Sequence, residues 1–191
     1  MRHRLRRVLL VSIAIVTCTA LTYGPAAAQV QQETSAITGV ERVSSTGMRD
    51  TQVLNYAGSD IAYKAEYTFQ PETGAETWML FFYGFAAQRT DFVQAERVLV
   101  WIGGQRRQID EAEPRMRPMN DEVLEIQTVT VSPAVFQRIA EAEAAVQFVV
   151  GSAEFDLSYT DRADMRAVVD QARQIATSAV SQQQRAVNAG R

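Results

Sequence analysis

Ile61-Ala62-Tyr63-Lys64-Ala65-Glu66-Tyr67-Thr68-Phe69-Gln70, then Pro71-Glu72-Thr73-Gly74, then Trp78-Met79-Leu80-Phe81-Phe82-Tyr83-Gly84-Phe85, is the stretch that decides the fold. In the first segment Ile61, Tyr63, Ala65, Tyr67 and Phe69 alternate with Ala62, Lys64, Glu66, Thr68 and Gln70. A period of two with one apolar and one mainly polar face predicts a strand. Pro71 to Gly74 predicts a turn, because Pro presets φ and Gly accepts the left-handed region. The last segment is apolar without a break, which predicts a central strand covered on both faces. The three pieces together propose an antiparallel hairpin.

Working outward, Val98–Ile102 and Gln105–Ile109 flank Gly103-Gly104, the signature of a tight hairpin turn. Val146–Val150 and Ala153–Leu157 flank Gly151-Ser152 in the same way. Val123–Val131 returns to strand. Its apolar phase moves from Leu124 and Ile126 to Val129 and Val131, which predicts a bulge or an interior position. Between these, Glu111 to Asp121 carries Pro114 and Pro118 among charges and reads as a loop or a broken edge.

Two helices follow late in the chain. Ser132-Pro133 supplies an N-cap oxygen and a preset first helical residue, with Phe136, Ile139 and Ala140 on one face. A final helix, capped by Ser158 or Thr160 with Asp161 and Asp164 in its first turn, shows Met165, Val168, Val169, Ala172, Ile175 and Ala176 at steps of three and four. Strands joined by short turns followed by segregated helices define an α+β fold. We expect an antiparallel sheet of about six to eight strands with the two late helices packed on it. The alternative is a β-sandwich with helical decoration.

The chain has 191 residues, 47% hydrophobic and 21% charged, an ordinary globular composition. Its first 28 residues read as a cleaved signal peptide. Arg2, His3, Arg4, Arg6 and Arg7 form a positive head, Val8 to Leu21 is mostly apolar, and Ala26-Ala27-Ala28 fits the small-residue cleavage rule. The apolar part is shorter than the ~20 residues of a spanning helix. Cleavage is expected before Gln29. Residues 29–35 read as a flexible lead-in, 36–176 as a single α+β domain, and 177–191 as a frayed or disordered tail. The leader carries four of the 19 basic residues and none of the 22 acidic ones, leaving 15 against 22, or −7. A surface of that sign repels nucleic acid, so nucleic acid is not expected as a partner. No transmembrane segment is expected after cleavage.

Loss of the leader also removes Cys18 and His3, the chain's one cysteine and one histidine. The remaining sequence has no His- or Cys-based triad, thiolate cluster or imidazole metal site. No cofactor is expected. Carboxylate chemistry stays open at Asp110, Glu111, Glu113, Asp121 and Glu122, a cluster beside Arg115 and Arg117 that also reads as a self-balancing surface loop. Lys64, the sole lysine, reads as a solvated strand residue beside Glu66.

Aromatic side chains are the remaining signal. Trp78, Phe81, Phe82, Tyr83 and Phe85, with Tyr63, Tyr67 and Phe69, form either cross-strand core pairs or an apolar surface. Tyr63, Tyr67, Trp78, Phe82 and Trp101 are the candidate residues for an apolar ligand or partner surface. The expectation is an exported, non-catalytic bacterial domain that binds a protein or cell-envelope component, in periplasm or medium, through its sheet or helix face. The alternatives are a carrier or sensor of a small apolar ligand, and a carboxylate-based hydrolase.

Overall fold

The computed structural model describes residues 30–109 and 112–189. The expected leader over 1–28, the cleavage point at Gln29, Asp110 and Glu111 of the acidic cluster, and residues 190–191 lie outside them. The fold is α+β, with its strands divided between two antiparallel sheets. The larger takes β1 (Val30–Thr34), β2 (Glu41–Ser45), β3 (Arg49–Asp50), β5 (Asp60–Gln70), β6 (Ala75–Ala86), β9 (Ala112–Met119) and β10 (Glu122–Val131). They run in the order β1-β2-β5-β6-β10-β9, with β3 also paired to β5. The smaller sheet runs β4-β12-β11-β7-β8, built from β4 (Gln52–Asn55), β7 (Val98–Ile102), β8 (Gln105–Ile109), β11 (Val146–Val150) and β12 (Ala153–Leu157). Helices α1 (Pro133–Glu141) and α2 (Ala163–Ala189) complete the chain.

The hairpin read from the sequence is the centre of the larger sheet. The Pro71–Gly74 turn pairs Gln70 with Ala75 and so places Tyr67 opposite Trp78 and Tyr63 opposite Phe82. Since side chains alternate across a strand, Tyr63, Ala65, Tyr67, Trp78, Leu80 and Phe82 share the inner face and are all buried. That face is covered in two halves. At one end Phe82 packs on Phe148 and Phe155 of the smaller sheet, with ring centroids 5.0 and 5.1 Å away. At the other end Trp78 lies between Tyr67 (4.5 Å) and Phe136 of α1 (5.0 Å).

The helices follow their apolar patterns. The Ser132 side chain accepts the Val135 N–H, and Phe136, Ile139 and Ala140 are buried. Met165, Val168, Val169, Ala172 and Ile175 of α2 are buried too. This helix starts later than its sequence suggested. Ser158 and Asp161 bond each other's backbone N–H groups in a closed turn, so Asp161 precedes the helix and only Asp164 lies in its first turn.

Three further segments differ from their sequence reading, and a fourth, β10, takes one of the two arrangements read for it. Residues 30–34 are not a loose lead-in but an edge strand paired residue for residue with β2. Helix α2 continues to Ala189 through the segment read as a tail, with Thr177 and Ser181 hydroxyls returning to carbonyls one turn back. The charged stretch from Ala112 to Met119 is an edge strand, where Pro114 and Pro118 are tolerated because one side has no neighbour to accept from them. Strand β10 occupies an interior position without a bulge, in unbroken register from Val123–Ala86 to Val131–Trp78. Its apparent change of phase arises because two buried inner positions are polar, Glu125 and Gln127.

Candidate functional site

The structure separates the five candidate aromatic residues. Tyr63, Tyr67, Trp78 and Phe82 are buried on the inner face, and the Tyr63 hydroxyl donates to the Asp161 carbonyl. The space beside them is filled by Phe136, Phe148 and Phe155. Trp101 stands apart, half-buried on the outer face of the smaller sheet, with the Arg106 guanidinium 5.7 Å from its ring centre.

The opposite phase of the same strands makes a surface. Met79, Phe81, Tyr83 and Phe85 of β6, with Leu124 and Ile126 of β10, point away from the helices and the smaller sheet and are each partly exposed. The Phe81 and Tyr83 rings stack with centroids 6.5 Å apart. Among the described residues no element packs over this face, so β6 is covered on one side, not on both as its continuous apolar run suggested. Half-burial of that face also pushes the Tyr83 hydroxyl pKa up; the nearby Glu66 carboxylate adds to this and Arg117 opposes it.

Register across the sheet sorts the flanking charges into rows. One row runs Lys64, Phe81, Thr128, Glu113. The next runs Asp50, Ala62, Tyr83, Ile126, Arg115. The third runs Asp60, Phe85, Leu124, Arg117. The apolar stripe is therefore bordered by charge on β5 and β3 at one side and on β9 at the other. Glu113 of the acidic cluster lies 3.8 Å from Arg115 within its own strand, and both are well exposed. Among the described residues no group of three or more His, Cys, Asp or Glu side chains is placed to hold a metal ion.

Buried polar chemistry sits on the inner face instead. Glu125 and Gln127 grip the connection that leaves β6 and enters β7 in the other sheet. Glu125 accepts from Thr90 and from the Tyr56 hydroxyl, while Gln127 donates to the carbonyls of Phe92 (2.7 Å) and Ala95 (3.1 Å). Burial drives the Tyr56 hydroxyl far above the ordinary phenol range, and the Glu125 carboxylate adds to that shift. Asp91 ties the same connection to the smaller sheet through the N–H and hydroxyl of Ser152. These contacts hold the connection between the two sheets, while the buried Gln127 Oε1 has no hydrogen-bond partner among the described residues. A shallow groove of about 450 Å³ opens along Gln94, Arg97, Leu99 and Val149.

Compared with known proteins, the chain matches no family model, and it has no significant match among curated proteins or solved structures. Among the described residues no helix is long and apolar enough to cross a membrane.

Proposed function

We propose that the protein is an exported, non-catalytic module that binds a protein or cell-envelope component through the outer face of its larger sheet. One observation carries this reading: six large apolar side chains, on neighbouring central strands, form a continuous stripe that nothing else in the described chain covers. A strand at the middle of a sheet gains by being apolar on both faces only if both are shielded from water. Contiguous exposed apolar surface rimmed by charge is the usual mark of an interaction site.

Thiol accessibility in cells tests the reading. In a Cys18→Ser background, Tyr83→Cys places a reporter on the stripe, and Glu72→Cys places one on the β5–β6 turn. Slow maleimide labelling at position 83 beside fast labelling at 72, with the difference abolished by denaturation, is the expected result. Equal and fast labelling of both in the native protein would overturn the assignment of this face.

A further inference from the structure

We propose that the partner on this face is a second copy of the chain, docked sheet to sheet about a two-fold axis that runs parallel to the strands between β6 and β10. The proposal rests on the reading of the face as a binding surface and names its occupant. Such an axis lays β6 of one copy over β10 of the other, and β5 over β9. Each row then meets its own reverse. Phe85 faces Leu124 of the partner copy, and Tyr83 faces the partner's Ile126, so apolar groups meet apolar groups along the stripe.

The charges at the border match under the same operation. Lys64 and Glu113 end one row, so each Lys64 faces the partner's Glu113. Asp60 and Arg117 end another, so each Asp60 faces the partner's Arg117. In the middle row Arg115 reaches over Ala62 of the partner copy toward the partner's Asp50, which neighbours that alanine on β3. Self-complementarity of this kind is what an isologous interface requires.

A two-fold axis at right angles to the strands also pairs opposite charges at the corners, bringing Lys64 onto the partner's Asp60. It stacks Arg115 on the partner's Arg115 and Asp50 on the partner's Asp50, however, and juxtaposed like charges disfavour it. The strand-parallel axis has no such conflict among these rows. Four strands at ~4.8 Å spacing and about eight residues at ~3.4 Å give a face of roughly 500 Å² per copy, and the pair of about 1,000 Å² meets the lower limit for a specific interface.

Sedimentation velocity of the exported chain, purified from cells and followed across the micromolar range, should show a concentration-dependent dimer. Lys64→Glu and Glu113→Lys should each weaken it at least about tenfold, because each breaks two symmetry-related pairs. The double variant should return to within about threefold of the original, since the pairs are restored with reversed sign. Both sites lie at the border of the face, and circular dichroism checks that each variant is folded. A chain that stays monomeric throughout overturns the second-copy proposal. If position 83 is still protected in cells, the binding-face reading survives with a different occupant, and if it is not, both fall. Rescue of Lys64→Glu by Asp60→Lys in place of Glu113→Lys would overturn the strand-parallel axis.

Discussion

Thr90 donates both its backbone N–H (2.6 Å) and its hydroxyl (2.5 Å) to the two carboxylate oxygens of Glu125, in a site closed to water. A buried carboxylate is tolerated there because donors surround it, the third being the Tyr56 hydroxyl at 3.1 Å. Glu125→Ala strands those donors in an apolar space and should cost about 3–5 kcal/mol. Glu125→Gln keeps the shape and one acceptor but turns an amide toward the remaining donors, so its loss should be roughly half as large. Urea denaturation of the two variants checks the ranking, and equal stability of both with the parent would refute this role for the pair.

Glu66 provides a pH test. It is buried on the outer face of β5, 3.3 Å from Arg42, and burial raises its carboxyl pKa despite the opposing pull of Arg42 and Lys64. A carboxyl whose pKa is higher in the folded than in the unfolded state binds protons more tightly when folded. Its contribution to stability is therefore fully present below the unfolded value and is lost as pH rises through the folded one. Glu66→Gln should be more stable than the parent at neutral pH, with the advantage shrinking as the pH falls into the carboxylate range. Thermal melts of both proteins between pH 3 and 7 read the sign directly, and a parent more stable than the variant at neutral pH would show that the Arg42 pair dominates.

The alternation of Ile61 to Phe69 and the spacing along α2 fix which sides of those elements are buried, so the central hairpin and the last helix were legible in the sequence. Choosing which phase of Trp78–Phe85 is open required more, because both phases are apolar. The signal was present in the turn. Four residues from Pro71 to Gly74 pair Tyr67 with Trp78, which puts Trp78, Leu80 and Phe82 on the apolar side of β5 and Phe81, Tyr83 and Phe85 on the Lys64–Glu66 side. Trp78 and Phe82, read as either core pairs or a ligand or partner surface, belong to the covered phase. The prolines and charges of β9 concealed a strand because an edge needs neither alternation nor donors on its free side. Division into two sheets depends on Glu125 and Gln127 gripping a connection about thirty-five positions away in sequence, and such pairing leaves no local pattern.

Arg162 is wholly buried just before α2 and donates to three carbonyls: Leu157 at 3.0 Å, Ala144 at 2.9 Å and Ala142, the residue that follows α1. Burial lowers its pKa, and Arg166 nearby acts in the same direction. The planar guanidinium reaches all three acceptors at once, which the point charge of lysine cannot do. Arg162→Ala should cost about 2–4 kcal/mol, since the buried Leu157 carbonyl and the part-buried carbonyls of Ala142 and Ala144 lose their donor, and Arg162→Lys should recover only part of that. Hydrogen exchange should quicken first at the end of α1 and in residues 142–145. Unchanged protection there would mean that the carbonyls find other donors.

The stripe on α2 separates core from surface at adjacent residues. Val169 is 1% exposed in the main apolar cluster, whereas Asp170 points outward and meets Arg173, at 3.5 Å across an exposed helical turn. Val169→Asp forfeits roughly 1.5–3 kcal/mol of apolar burial and adds the desolvation of a carboxylate set into the apolar cluster. A combined loss of about 4 kcal/mol or more, against a typical total of ~5–15 kcal/mol, should lower Tm by at least roughly 10 °C or leave the chain unfolded. Asp170→Ala removes a solvated ion pair and substitutes a better helix former, so the melt should move by no more than the equivalent of ~0.5 kcal/mol. Paired thermal melts decide the matter. A native Tm for Val169→Asp would mean that α2 does not close the core, and the half of the inner face over Val43 and Tyr67 would then need another cover.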